Sequence, residues 1–360
     1  MKVLSGYVNN YYLFDAGGEF ALERVERVLN KKPREQQLVY SKLTPEYIRV
    51  TPAPLEIPIG KQTIEGTQYE VTARVFAVGV VSVLFRRSFD GELRSLLKDK
   101  PIGLEKKAVE ISSRILSDLK EALESTYDHH VEPEDYKVIV IKNEGIDAGQ
   151  VLKENERVIA ALLREEGDVS LLSDEEVKRV SESAISYYHD DLAVIGFTGA
   201  VVIEPHDERD VLTILELANA QLLELRTYND LLIKESDRTY SQVREIISPR
   251  AGLLLKPARI SETARDIAEL RLEVTDVVSD IYNMSSFIGD WYIGKLYALA
   301  SDKLRLKEWH ADVERKLDEV EDFYSLALAR VDAQRNVWLE FLIVLLIVFE
   351  IVLSLTVYVK

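Results

Sequence analysis

One stretch near the end of the chain limits its architecture more than any other. Phe341 to Val359 reads FLIVLLIVFEIVLSLTVYV and is followed by Lys360. A helix of that length rises about 28 Å at ~1.5 Å per residue, close to the ~30 Å hydrocarbon thickness of a bilayer. Its one formal charge, Glu350, falls mid-run. A carboxyl there costs roughly 2.5–3.5 kcal/mol, less than the surrounding Leu, Ile, Val and Phe return. Buried strands run only ~4–8 residues, so the pattern predicts a transmembrane helix rather than a core strand. On this reading the protein is single-pass, with lipid contact confined to 341–359 and the bulk of the chain in the cytoplasm. Glu350 then turns toward another helix, because lipid offers a carboxyl no hydrogen bond.

The opening residues, MKVLSGYVNNYYLFDAGGEF, lack the apolar core of a secretory signal. The charge balance, 45 Lys and Arg against 62 Asp and Glu, gives −17. That sign argues against direct nucleic-acid binding and against electrostatic attachment to anionic lipid. The chain has no cysteine, which excludes disulfides, thiolate metal sites and cysteine nucleophiles.

Residues 1–145 alternate between strand and helix patterns and predict a mixed α/β domain. Strand signals cover Leu4–Leu13, Tyr47–Thr51, Leu55–Ile59, Tyr69–Phe85 and Lys137–Ile141. In YEVTARVFAVGVVSVLF, Gly79 marks a bulge or a close approach. Residues 146–206 continue that domain, with a capping box at Ser173-Asp174-Glu175-Glu176 opening a helix and DLAVIGFTGAVVIEP reading as short strands. Residues 207–335 predict a stalk or bundle of long helices, and 336–360 the membrane anchor. The fold class expected is therefore α+β: a mixed α/β domain, long antiparallel or coiled-coil helices, and one C-terminal transmembrane helix.

Three apolar seams run through the stalk. The first passes through Leu215, Leu222 and Leu232, with Asn229 as a polar position that sets register. The second includes Val274 and Ile281, the third Val313 and Leu317. A narrow apolar stripe cannot bury itself, so the second and third seams are expected to pair as a helix hairpin, leaving Lys316 off the seam.

No catalytic signature stands out. Gly196-Phe197-Thr198-Gly199 lacks the lysine of a phosphate loop and reads as a turn between strands. His129-His130 reads as a solvated loop, His189 as a helix-end cap, His206 as a turn residue without a visible partner, and His310 as an interhelical histidine. Arg86-Arg87 reads as a solvated strand end, with an anionic partner as the alternative. Nothing in these patterns calls for a cofactor or a metal.

The C-terminal region carries a resemblance. RLEVTDVVSDIYNMSSFIGDWYIGKLYALASDKL and VERKLDEVEDFYSLALARVDAQRNVWLEFLIVLLIVFEIVLSL resemble the required-for-meiotic-nuclear-division family, also called the YagE family, over residues 270–358. Leu339-Glu340-Phe341 matches its Leu-Glu-Trp-type entry, Glu350 its intramembrane acid, and Asp290-Trp291-Tyr292 its acidic-aromatic bend. VFAVGVVSVLF resembles its apolar strand without the tryptophan. For eukaryotic members the resemblance implies organellar membrane association and support of mitochondrial translation. The functional expectation is a non-enzymatic, tail-anchored scaffold that homo-oligomerises through its helices and presents the α/β domain to an unidentified protein partner. The alternative is an enzyme or ligand sensor with a pocket in residues 1–205.

Overall fold

The computed structural model describes residues 3–29, 54–99, 102–124, 131–247 and 291–358, with side chains in the last helix described as far as Ile351. The chain divides into two units, one formed by Met1–Thr227 and Val277–His310, the other by Tyr228–Asp276 and Ala311–Lys360.

The first unit is built on an eight-stranded sheet. Its strands are β1 (Leu4–Asp15), β2 (Leu55–Ile64), β3 (Thr67–Val75), β4 (Val80–Gly91), β5 (Glu134–Ile141), β6 (Ala184–Ile185), β7 (Leu192–Ile195) and β8 (Gly199–Ile203). They lie in the order β2-β3-β4-β1-β5-β8-β7-β6. All pairs are antiparallel except β5 with β8, and the connection between those two carries helices, as a parallel crossover requires. β1 is central, bonded along its length to β4 and β5. Gly6 allows that approach, since a Cβ there would lie 1.8 Å from the Val140 carbonyl oxygen.

Four helices are α1 (Leu22–Leu29), α2 (Leu104–Leu119), α3 (Ala148–Leu163) and α4 (Asp174–Ser181). α1 and α2 bury Val25, Leu104, Ala108, Ile111 and Leu119 against Val71, Ala73, Val83 and Phe85. α3 and α4 bury Val151, Ile159, Leu163, Val177 and Val180 against Ile139, Ile141, Val201 and Ile203. The inward residues alternate along each strand, so one sheet face is apolar and helix-covered. Ser173 caps α4 as its sequence predicts, its Oγ accepting from the Glu176 amide at 3.2 Å. α5 (Arg209–Ile247) starts in this unit, and every residue from Val211 to Leu225 is buried. A helix buried on all sides needs cover on more than one. α6 (Trp291–Lys303) supplies part of it, with the Tyr297 hydroxyl donating to Gln221 Oε1 at 2.8 Å.

Two expectations change. The run Tyr69–Phe85 is two strands, because Phe76–Gly79 turns the chain back on itself. Gly79 does mark a close approach. Its φ is 96°, and a Cβ would lie 2.3 Å from the Gly18 carbonyl oxygen. The capped helix α4 ends at Ser181 rather than near Tyr188. The strand expected at Tyr47–Thr51 lies outside the described residues.

The second unit contains the rest of α5 and most of α7 (Leu306–Tyr358). Val313, Leu317 and Val320 are buried, as are Tyr228 and Leu232. Lys316 is not a solvated off-seam residue. Its ammonium donates to Asn229 Oδ1, which places the third seam beside the first. Val274 and Ile281, the other half of the expected hairpin, lie outside the described residues.

The transmembrane helix is not borne out. Among the described residues no helix is long and apolar enough to cross a membrane. The single-pass anchor at 341–359, and with it the membrane part of the expected fold class and localisation, is therefore withdrawn.

Gly79→Ala should destabilise the fold by more than about 1–2 kcal/mol, the left-handed penalty alone, because the new methyl also meets backbone. Urea denaturation followed by circular dichroism measures it. An unchanged midpoint would show that the turn at Phe76–Gly79 is not held in this conformation.

Candidate functional site

The second face of the sheet is polar where it meets α5. On β1, Tyr7, Asn9, Tyr11 and Leu13 alternate with the core residues Val8 and Tyr12. Across the ladders Asn9 stands opposite Arg86, Leu13 opposite Ser82, and Ser82 opposite Arg74. This face therefore gathers Asn9, Tyr11, Arg74, Ser82 and Arg86 at the middle of the sheet.

α5 and Glu208, the residue just before it, bring the matching carboxylates. Arg74 donates to Glu216, and to Glu56 of β2 at 3.4 Å. Arg86 donates to Glu208 at 2.5 Å, and Lys142 donates to the same carboxylate at 2.8 Å. The Lys142 ammonium also reaches the His206 carbonyl at 2.9 Å. The Arg86 guanidinium lies 3.9 Å from the centre of the Tyr7 ring, a cation–π contact. Further along the helix Arg226 donates to Glu134. Arg74–Glu216 thus sets a strand cation against a helix anion, and Arg226–Glu134 the reverse.

Burial decides the protonation states. It works against a charged Arg74, and the surrounding charges, Glu216 foremost, together with the Glu216 hydrogen bond outweigh it, so the guanidinium holds its proton more firmly than usual. Burial raises Glu208, and hydrogen bonds from Lys142 and Arg86 more than reverse that, leaving its carboxyl below the usual range. Burial, then the Glu216 charge, push the Tyr11 phenol upward against the pull of Arg74 and Arg86. Tyr11 is thus a neutral hydroxyl among four charges that cancel in pairs.

Not every group is satisfied within this cluster. Asn9 Oδ1, the Tyr11 hydroxyl, Ser82 Oγ, Arg74 Nε, Arg86 Nε and Glu216 Oε1 are buried without a hydrogen-bond partner from the protein. Leaving such an atom unmet costs about 1–3 kcal/mol, so their concentration at one place marks it out. Chemically, the cluster can bond α5 to the sheet and can offer both donors and acceptors to a small guest. A phenol held neutral between paired charges is neither a base nor an activated nucleophile.

Farther along α5, Glu224 is 1 % exposed and neither carboxyl oxygen has a hydrogen-bond partner. Burial raises its affinity for a proton well above normal, and the charges of Asp15 and Glu19 raise it further. Thr227, one turn on, is also fully buried with its hydroxyl unpaired. Among the described residues, no group of three or more His, Cys, Asp or Glu side chains could hold a metal ion.

The residues singled out in the sequence fall elsewhere, with one exception. Glu350 is exposed on α7, while Val313 and Leu317 are buried in the second unit. Gly196–Gly199 forms the tight β7–β8 turn, its ends joined at 2.8 Å. His206 has a partner after all, Asp190 at 3.2 Å. His129-His130 lies outside the described residues. The exception is Arg86-Arg87, whose anionic partners prove to be Glu208 and Asp99 of the same chain. Asn9, Tyr11, Arg74, Ser82, Glu208, Glu216 and Glu224 were missed. A weak signal existed: Asn9 and Tyr11 interrupt an apolar strand, and Glu216 and Glu224 interrupt the apolar run LTILELANAQLLEL.

Two outcomes follow from these geometries. Glu216→Ala strands the Arg74 charge in a site where its side chain is only 13 % exposed, and should cost about 3–5 kcal/mol. Replacing Arg74 and Glu216 together by Leu should cost much less, and a chemical-denaturation cycle over the four proteins reads the coupling. Equal losses in the single and double variants would contradict the pairing. For Glu224 the sign is that of a raised carboxyl. Above the unfolded value of 4.5, the folded state keeps a proton that the unfolded state has released. Stability should therefore fall as pH rises from there through the folded value, and Glu224→Gln should remove that slope. Denaturant midpoints measured from about pH 4 to about pH 8 test this, and parallel profiles for the two proteins would refute it.

The comparisons with known proteins bear on the sheet unit. Residues 5–210 match the family described as "Uncharacterized protein MJ0711, N-terminal domain". A relative from Methanocaldococcus jannaschii, described as "Uncharacterized protein MJ0711", is 23% identical over 210 residues, which are 58% of this chain and 62% of that protein. The chain thus matches less than two thirds of that relative's length. No solved structure matches. The required-for-meiotic-nuclear-division family is not confirmed, and its resemblance covers mostly residues beyond the match. With more than half of its length matched, from the start of β1 to the first turn of α5, the chain belongs to the MJ0711 N-terminal-domain family.

Proposed function

We propose that this protein is a non-enzymatic adaptor that self-assembles through the apolar end of α7 and carries the sheet unit as a docking module for a protein partner. One observation carries the reading. From Phe341 to Ile351 ten large apolar side chains are each more than half exposed, and being nearly consecutive they surround the helix. At roughly 100 Å² for each, a burial worth ~2.5 kcal/mol, they offer about 1,000 Å². Monomers rarely expose contiguous patches above a few hundred Å², and a standard interface needs about 800 Å² from each partner.

The occupant we assign is further copies of the same helix. A groove on a different protein covers one side of a helix, whereas a bundle of identical helices covers several and aligns equal apolar runs. Glu350 then lies within the contact, where it sets register by finding a polar partner on a neighbouring copy. The net charge of −17 opposes association, so assembly should strengthen with salt. The distant kinship of residues 270–358 with the required-for-meiotic-nuclear-division family is part of this proposal, as is the partner of the sheet unit. A second reading, a ligand sensor, draws on the unpaired polar atoms around Tyr11.

Sedimentation equilibrium of the full chain should give an oligomer whose affinity rises with ionic strength. Leu345→Glu with Ile347→Glu should reduce it to monomer without changing the sheet unit's circular dichroism. Glu350→Gln should keep the oligomer number, because an amide still bonds across helices, whereas Glu350→Leu should broaden it to mixed species. A monomeric wild type, or an oligomer indifferent to the double Glu variant, would end the proposal.

A further inference from the structure

The six unpaired atoms around Tyr11 have a definite chemistry. Arg74 Nε and Arg86 Nε can only donate. Asn9 Oδ1 and Glu216 Oε1 can only accept, the latter from a carboxylate already bonded to Arg74. The hydroxyls of Tyr11 and Ser82 can do either. An anion could take bonds from the two Nε–H groups but would face the bare oxygens of Asn9 and Glu216. A metal cation would suit those oxygens but meet two guanidinium groups. A guest must therefore donate and accept at once, be uncharged, and be small enough to sit between a sheet and a helix that bond each other directly at Arg74–Glu216 and Arg86–Glu208.

We infer that this network is a binding site for ordered water, with about two molecules bridging strands β1, β3 and β4 to α5. A buried water makes about three hydrogen bonds, so six atoms call for about two. Asn9, Tyr11, Ser82 and Glu216 are each at least 98 % buried, so the waters exchange slowly and belong to the fold. The register places Ser82 opposite Arg74 and Asn9 opposite Arg86, with Tyr11 between the two pairs. One water is assigned to each pair, and the Tyr11 hydroxyl joins them. The dock between α5 and the sheet is thus partly solvent, and its strength depends on water as well as on ion pairs.

Oxygen-17 magnetic relaxation dispersion on the full chain counts such long-lived waters. The test compares wild type with Tyr11→Phe/Ser82→Ala, and with Ser82→Ala alone, which removes a single hydroxyl and serves where the double variant does not fold. The inference expects the double variant to lose about one to two long-lived waters and its melting point to drop by about 2–4 °C, as for a loss of about 1 kcal/mol in a unit of this size. An unchanged dispersion would overturn it. So would a melting point that rises in both variants, the mark of orphaned hydroxyls being removed. A wild-type melting point that climbs with added formate at constant ionic strength would make the guest an anion and overturn it too.

Discussion

Arg74 and Glu216 meet where the sheet and α5 have both lost water, and the arrangement of the first unit depends on that meeting. A guanidinium taken out of water loses several kcal/mol unless a carboxylate meets it with good geometry. Here the carboxylate comes from a helix that is buried around its circumference from Val211 to Leu225. Apolar burial holds α5 against the sheet without fixing its rotation or its position along its axis, because hydrophobic contact has no direction. The two ion pairs, Arg74 with Glu216 and Arg86 with Glu208, fix both. Glu208 immediately precedes α5 and Glu216 stands eight residues on, a little over two turns, so both pairs are made only when α5 lies in one register.

The same reasoning separates the two ends of the long helices. Around Tyr11, charge appears inside the protein because it is answered there. At Phe341–Ile351, large apolar side chains are each more than half exposed. A sheet unit whose buried ion pairs are closed within it, joined by sequence to an exposed apolar helix end, has the composition of a module and a connector.

Strand positions were largely legible in the sequence because period-two alternation reports burial on one sheet face. β1, β2, β5, β7 and β8 fall where β-branched and aromatic residues alternate or cluster, and Ser173 announces α4 by its capping chemistry. The turn at Phe76–Gly79 was not legible, since the apolar pattern continues through it and a single glycine in a strand reads as a bulge. The polar network was harder still. Its members come from β1, β3, β4 and α5, and nothing local says that Arg74 and Glu216 share a site. Misreading α7 had a different cause. Phe341–Val359 reads in the sequence as one apolar run despite the carboxyl at its centre, and among the described residues no helix is long and apolar enough to cross a membrane.

The central position of β1 has a consequence for how the protein comes off the ribosome. Its partner β5 is not synthesised until more than a hundred residues later, and Glu216 is made 142 residues after Arg74. At about 5–20 residues per second, the face that α5 will cover waits for roughly 7–30 s. A wholly apolar face left open for that time would recruit other nascent chains. This one presents arginines, an asparagine and a serine to the solvent, and such residues guard an exposed strand against wrong pairing. The charges that are costly to bury in the finished molecule keep the unfinished one in solution until the helix that neutralises them has been made.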